Sequence, residues 1–366
     1  MTTLFDPFGL KGVTVRNRIA ASPMCQYMAK DGVISDWHGP HYAGLARGGA
    51  GLVIVEATAV SQEGRITLGD VGIWNDAQAE ALRPIVQSIK AAGAVPGIQI
   101  AHAGRKASAN LPWEGDDHIS DDDSRGWTTI APSAIAFGGG LSKPPSAMTK
   151  ADIQRVQREF VAAAERARDV GFEWLVLHFA HGYLGQSFFN AGSNQRNDEY
   201  GGSAENRGRF LVETLAAVRK VWPDDRPLTA RFGVIEFDGR DEETLAEAIA
   251  LVGRFKVEGL DFIDVSIGFS TPEAKIPWGP HLLVQTAARV RAETGLPAST
   301  SWFISDPGKA DELIRTGQLD LVMLARPLLA DPHWPYAAAK VLGAENPAWA
   351  TLPPSYAHWL AHYRLS

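Results

Sequence analysis

Trp174-Leu-Val-Leu-His-Phe-Ala-His-Gly-Tyr183-Leu184 is the stretch from which the rest of the chain is read. Its first four residues form an uninterrupted apolar run of the kind that makes a buried strand. Two imidazoles and a phenol, His178, His181 and Tyr183, then leave the end of that strand. Polar groups at the edge of a core cost free energy unless something binds them. Two imidazole N–H groups can hold an oxyanion and a phenol can give up a proton, so the pattern points to chemistry at a polarised carbonyl.

Working outward, seven more β-rich runs appear at Arg18–Ala21, Gly51–Glu56, Val95–Ile100, Leu228–Phe232, Phe262–Ser266, Pro297–Ser301 and Leu321–Leu324. Continuous apolar runs alternating with helical patterns indicate parallel strands covered on both sides. Eight such units predict an α/β fold of the (β/α)8, or TIM-barrel, type, with an open doubly wound sheet as the rival. Thr149-Lys-Ala-Asp152 reads as a capping box, and Ile153, Val156, Phe160 and Ala163 follow at helical spacing up to Gly171. Asp306-Pro307 reads as an N-cap with proline at the first helical position, and Pro223 as a stop for the helix before it.

Residues 103–148 break the rhythm. They hold Pro112, Pro132, Pro144, Pro145 and the acidic run Asp121–Asp123, far beyond an ordinary βα loop. The segment is expected to be a capping excursion, or lid, after strand 3, with a small hairpin near Trp127–Ile130; a solvated insertion is the plainer reading. The chain is otherwise expected to be one domain over 1–366. Its 366 residues are 45% hydrophobic and 21% charged, with net charge −7 from 35 basic and 42 acidic residues. The scattered basic residues argue against nucleic acid, and no apolar run is long enough to span a bilayer. The N-terminus lacks the pattern of a signal peptide, and a single cysteine fits a reducing, cytoplasmic setting.

Active sites of such barrels lie just past the strand C-termini. Those positions hold Ser22-Pro23-Met24-Cys25-Gln26-Tyr27, Ala57-Thr58, Gln99 with His102, then His178, Arg231, Ser266, Ser301-Trp302 and Ala325-Arg326. With these residues in place, the chain resembles the Old Yellow Enzyme family of FMN-dependent ene-reductases over nearly its whole length. The resemblance is carried by Leu4–Pro7, Val15-Arg-Asn-Arg18, Pro23–Tyr27, Gly51–Ala57 and Gln99-Ile-Ala-His102-Ala-Gly-Arg105. It continues through His178-x-x-His181-Gly-Tyr183-Leu184 and Asn194-x-Arg-x-Asp-x-Tyr-Gly-Gly-Ser203-x-x-Asn206-Arg207. It is most similar to the bacterial class with a cysteine near the flavin, that of the xenobiotic reductases.

The resemblance implies bound FMN, hydride from NADPH (NADH being possible), and reduction of the activated C=C bond of α,β-unsaturated aldehydes or ketones by ping-pong turnover. It assigns the substrate's oxygen to His178 and His181 and the proton for Cα to Tyr183. It places Cys25 beside the isoalloxazine, Tyr27 and Trp302 on the substrate, Gln99 at the pyrimidine edge, and Pro23, Met24 and Ala57 along the ring. Arg231 would stand near flavin N1 and O2; a rim salt bridge with Glu56 or Glu236 is the plainer reading of that arginine. Arg326 would pair with the phosphate. Relatives usually carry glycine where this chain has Phe303 and Ala325, so the loop is expected to shift or resist φ > 0 and to hold FMN more weakly. The tail, about 351–366, offers Trp359 to a neighbouring subunit's site, which implies a homo-oligomer, dimer or tetramer. The absence of a G-x-G-x-x-G after any strand fits a shared pocket with no dedicated dinucleotide fold.

Three plainer readings stand beside these. His38, His41 and His102 read as satisfied core histidines. The two H-x-x-H pairs would otherwise serve a metal-dependent barrel hydrolase, although no carboxylate is spaced with them as in a zincin, so no metal is expected. The third is a flavin-binding barrel without turnover.

Overall fold

Parallel strands bury both faces, and every residue of the strands Leu52–Ala59 and Val95–Ala101 is buried. The computed structural model describes residues 2–280 and 282–363. Its barrel strands are β1 (Ile19–Ala21), β2 (Leu52–Ala59), β3 (Val95–Ala101), β4 (Trp174–Phe179), β5 (Leu228–Ile235), β6 (Phe262–Ile267), β7 (Ala298–Thr300) and β8 (Leu321–Leu324). Each pairs in parallel with the next, and β8 pairs with β1, which closes the ring. The fold is therefore a (β/α)8 barrel, and the open sheet is excluded.

Alternation along the strands sorts the side chains. Ala20, Leu52, Ile54, Val95, Trp174, Val176, Phe262, Leu321 and Met323 fill the lower barrel, while Val53, Val55, Ile98, Leu175 and Leu177 pack outward against helices. A hairpin of Phe8–Leu10 and Val13–Val15 plugs the lower end, its Phe8 ring edge-on to Phe262 at 6.0 Å. The core therefore closes the barrel floor and leaves the upper rim open.

The helix Lys150–Val170 begins with the expected capping box between Thr149 and Asp152 and ends at Gly171 with φ +102°. Asp306 caps the helix Pro307–Arg315 by accepting the Lys309 N–H at 2.8 Å. The helix Ala204–Arg219 stops ahead of Pro223.

The excursion departs from expectation. Ile130–Ala131 pairs with Ser146–Ala147 in parallel, so there is no hairpin at Trp127–Ile130. Pro132 follows the first strand directly, and the chain runs out to a turn at Gly138–Leu141 before returning in the same direction. The segment is tied to the rim. Arg105 donates to the carbonyls of Ile135, Ala136 and Ser270 at 3.4, 3.2 and 2.5 Å, and Arg65 lies between Trp74 and Trp127.

The tail packs on its own chain. Helix Pro354–Leu360 packs through Ala357 and Leu360 on Ala348, Leu352 and Tyr336. Residues 364–366 lie outside the described residues. No described helix is long and apolar enough to cross a membrane.

Gly171 tests the helix-termination argument. A Cβ there would meet Val86 at an ordinary 3.5 Å, so the cost of alanine is conformational alone. Gly171→Ala is expected to lower unfolding stability by about 1 kcal/mol, and Gly171→Asn by less, read as urea-unfolding midpoints.

Candidate active site

Register partners on adjacent parallel strands face the same way, so pairing identifies what the rim encloses. Ala57 pairs with Gln99, His178 with Arg231, and Arg231 with Asp264. Following inward Trp174 and Val176, His178 is the next inward position of β4. A bulge between Val55 and Ala57 resets the alternation in β2. It turns Glu56 toward the Tyr42 hydroxyl, which donates to it at 2.8 Å, and the Gln26 amide, which does so at 2.8 Å.

Past β4 the chain makes a tight turn with His181 at φ +63° and Gly182 at φ +69°. A Cβ on Gly182 would lie 2.3 Å from the Phe269 carbonyl oxygen, so only glycine fits. The turn brings the rings of His178 and His181 together edge to face, 4.9 Å apart, with Tyr183 5.1 Å from His178. His178 Nδ1 accepts the Ala180 amide at 3.4 Å, which leaves Nε2 as its N–H. His181 Nε2 meets Ser266 Oγ at 2.8 Å and leaves Nδ1 facing away from that bond. One imidazole edge from each ring thus remains for a ligand.

Beside this trio lies a cavity of about 500 Å³ lined by Pro23, His181, Arg231, Trp302, Phe303, Ala325 and Arg326. A second chamber of about 310 Å³ lies beneath the excursion, lined by Tyr27, Lys106, Phe137 and Tyr183 among others. Cys25 is half-buried in the irregular segment after β1, and Met24 packs against the outer core. Tyr27 takes φ +56°, with its ring edge-on to Trp113 at 5.9 Å.

Two buried groups point to a ligand with hydrogen-bonding edges. Gln99 Nε2 and Trp302 Nε1 are both buried without a partner among the described residues. Their orphaned donors, the cavity and the cation of Arg326 suit a planar heterocycle carrying a phosphate.

Two expectations need correction. Arg231 does make a rim ion pair, but with Asp264 at 3.2 Å, and it also donates to Ser301 at 2.9 Å. Neither Glu56 nor Glu236 is its partner, since Glu236 is taken up by Gln186, Asn190 and Ser270. Phe303 does not prevent the left-handed turn. Trp302 and Phe303 adopt φ +78° and +56°, and the Phe303 ring turns outward, 44% exposed, near Trp278. The missing glycine is tolerated at the cost of local strain, on the order of 1 kcal/mol. Trp359, expected at a neighbouring subunit's site, lies outside both chambers and is 75% exposed on its own chain.

His38 and His102 are buried with Nδ1 accepting the amides of Ser35 and Gly104, and His41 packs edge-on to Tyr42. Nε2 of all three is buried without a hydrogen-bond partner among the described residues, so they are core histidines only partly satisfied. Among the described residues no group of three or more His, Cys, Asp or Glu side chains converges as a metal centre would. Asp264 and Phe269 were not singled out by sequence as parts of the site. Asp264 carried a signal, a carboxylate at an inward position of an apolar strand.

Burial sets the protonation states. It pushes both His178 and His181 well below the usual imidazole value, and the cations of Arg231 and Lys106 push the same way. Burial raises the Tyr183 phenol and the Cys25 thiol. Imidazoles, phenol and thiol are thus all neutral near pH 7, which is what hydrogen-bond donation requires. Because the charged imidazolium is the disfavoured form, protonation comes only below the ordinary value of 6.5. Ring ¹⁵N shifts of His178 and His181 should show neutral imidazole at pH 6, where an exposed histidine is mostly charged; imidazolium shifts there would refute this electrostatic picture.

The sequence model of the NADH:flavin oxidoreductase / NADH oxidase family matches residues 3–345. The NADPH dehydrogenase of Geobacillus sp. (strain WCH70) is 44% identical over 344 residues, covering 93% of this chain and 95% of that protein. The NADPH dehydrogenase of Bacillus subtilis (strain 168) is 39% identical, covering 94% and 96%. Morphinone reductase in complex with tetrahydroNAD superposes with a TM-score of 0.78 at 26% identity, covering 100% of both chains. The old yellow enzyme homologue from Zymomonas mobilis gives 0.77 at 26% identity, also covering 100% of both. By sequence match and by fold, this chain belongs to the NADH:flavin oxidoreductase / NADH oxidase family, the family of the Old Yellow Enzymes.

Proposed function

We propose that this protein is an ene-reductase, reducing the activated C=C bond of α,β-unsaturated aldehydes and ketones with NADPH, or NADH, as the donor. The observation that carries the reading is the trio at the end of β4: two neutral imidazoles and a neutral phenol within 6.3 Å of one another, beside a cavity suited to a flavin.

The residues fit FMN. Gln99 has a buried amide N–H free for a ring acceptor, and Arg231 supplies a fixed cation at the cavity wall. Pro23, Met24, Cys25 and Ala57 would line the ring, and Arg326, beside Phe303 and Ala325, would pair with the phosphate. When bound, FMN supplies the hydride chemistry between the nicotinamide and the alkene.

His178 and His181 hold the substrate oxygen. As hydride reaches Cβ, negative charge gathers on that oxygen, and two N–H donors already in place stabilise it without reorganisation. Tyr183 gives its proton to Cα. Arg231, held by Asp264 and Ser301, would set a fixed positive charge against a bound flavin ring and so favour negative charge on it. Tyr27 and Trp302 bound the substrate on two sides, and Cys25 as a neutral thiol shapes the pocket between them. The excursion acts as a lid that excludes water. In a homo-oligomer, the exposed Trp359 reaches the neighbouring subunit's site.

The test is a redox cycle. Purified yellow protein should bleach with NADPH under anaerobic conditions and recover its colour with 2-cyclohexenone, yielding cyclohexanone. Bleaching without recovery, or an alcohol product, would rule out alkene reduction. His178→Ala should weaken binding of phenols, whose oxygen mimics the enolate, by roughly ten- to a hundredfold. Unchanged affinity in a spectral titration would remove the oxyanion role.

A further inference from the structure

Lys106 occupies a place that neither the fold nor the proposed chemistry yet explains. Its ammonium donates to the His181 carbonyl at 3.0 Å. It lies 4.3 Å from the centre of the Phe137 ring, contributed by the excursion, and 5.4 Å from that of the Tyr183 ring. No carboxylate lies within ion-pair distance among the described residues. Asp116 lines the same chamber, and Arg105 precedes it on the same turn.

An enclosed ammonium without a carboxylate is costly, and a brace between lid and barrel needs no charge. A methylene stem packed on Phe137 would serve for that. The charge has a use where negative charge appears during reaction, and the nearest such place is Tyr183. When the Tyr183 O–H bond breaks and the Cα–H bond forms, the ring is left as a phenolate, which later regains a proton from solvent water. Lys106 stays protonated throughout.

We propose that Lys106 is a positioning residue for Tyr183, holding the His181–Tyr183 turn through the His181 carbonyl and stabilising the phenolate left after proton transfer. The proposal rests on Tyr183 being the proton donor. Burial also works against Tyr183, since it raises the phenol well above its ordinary value and makes it a poorer acid. Arg231 opposes that effect in the resting site, and the Lys106 ammonium facing the ring adds a second positive charge where the phenolate forms. Lys106 is itself pushed down to about 8 by burial, which leaves it charged at pH 7.

The two half-reactions of the flavin-loaded enzyme test this by stopped flow, using Lys106→Gln, Lys106→Arg, Tyr183→Phe and the Gln/Phe double variant. Glutamine keeps a donor for the His181 carbonyl and removes only the charge. Lys106→Gln should slow reoxidation by 2-cyclohexenone on the order of tenfold and leave flavin reduction by NADPH within about twofold. Lys106→Arg should recover most of the rate. In the double variant the two losses should not multiply, because the charge has nothing to act on once the hydroxyl is gone. Equal slowing of both half-reactions, multiplying losses, or a Lys106→Gln enzyme as fast as the parent would each overturn the proposal. If Tyr183→Phe itself left reoxidation unchanged, the proton-donor reading would fall, and the role of Lys106 with it.

Discussion

Alternation in a closed parallel barrel governs this molecule. Each strand sends every second side chain inward, and the hairpin plug and the Trp174–Phe262 layer fill the lower half. What remains is a shallow upper rim onto which β3, β4 and β5 deliver Gln99, His178 and Arg231, the last two in register with each other and Gln99 level with Val176. Rotating β4 by one residue would send Leu177 inward and His178 into the helical layer. The site therefore depends on strand register, and register depends on the apolar packing beneath it.

Desolvation does the remaining work. The same burial that makes the barrel stable removes the charged forms of His178 and His181 and the ionised forms of Tyr183 and Cys25. Two cations, Arg231 and Lys106, flank the imidazoles and reinforce their neutrality. Arg231 is itself steadied by Asp264, whose other oxygen accepts from Ser299 at 2.9 Å. The rim is thus a set of neutral donors between fixed positive charges, an arrangement suited to a reaction that builds negative charge on an oxygen and on a flat ring.

Most of the barrel was legible in the sequence because parallel strands bury both faces and so appear as unbroken apolar runs. The runs beginning at Val95, Trp174, Leu228, Phe262 and Leu321 coincide with strand starts. The rim residues were legible for a related reason: polar groups directly after such runs have few alternatives. Long-range partners were not. Nothing local marks Asp264 rather than Glu56 as the partner of Arg231, since a bulge at Glu56 decides which way that carboxylate turns. The left-handed Trp302–Phe303 turn runs against side-chain preference and is imposed by tertiary context. The parallel pairing of Ile130–Ala131 with Ser146–Ala147 joins segments too far apart for turn chemistry to reveal.

The central claim is that His178 and His181 together form the anion hole above the flavin. A crystal of the FMN-loaded protein soaked with p-hydroxybenzaldehyde addresses it most directly. The phenol oxygen should lie within hydrogen-bond distance of both imidazoles, with Tyr183 beside the ligand ring. A phenol oxygen held by Arg231 or Lys106, with either imidazole out of reach, would contradict it.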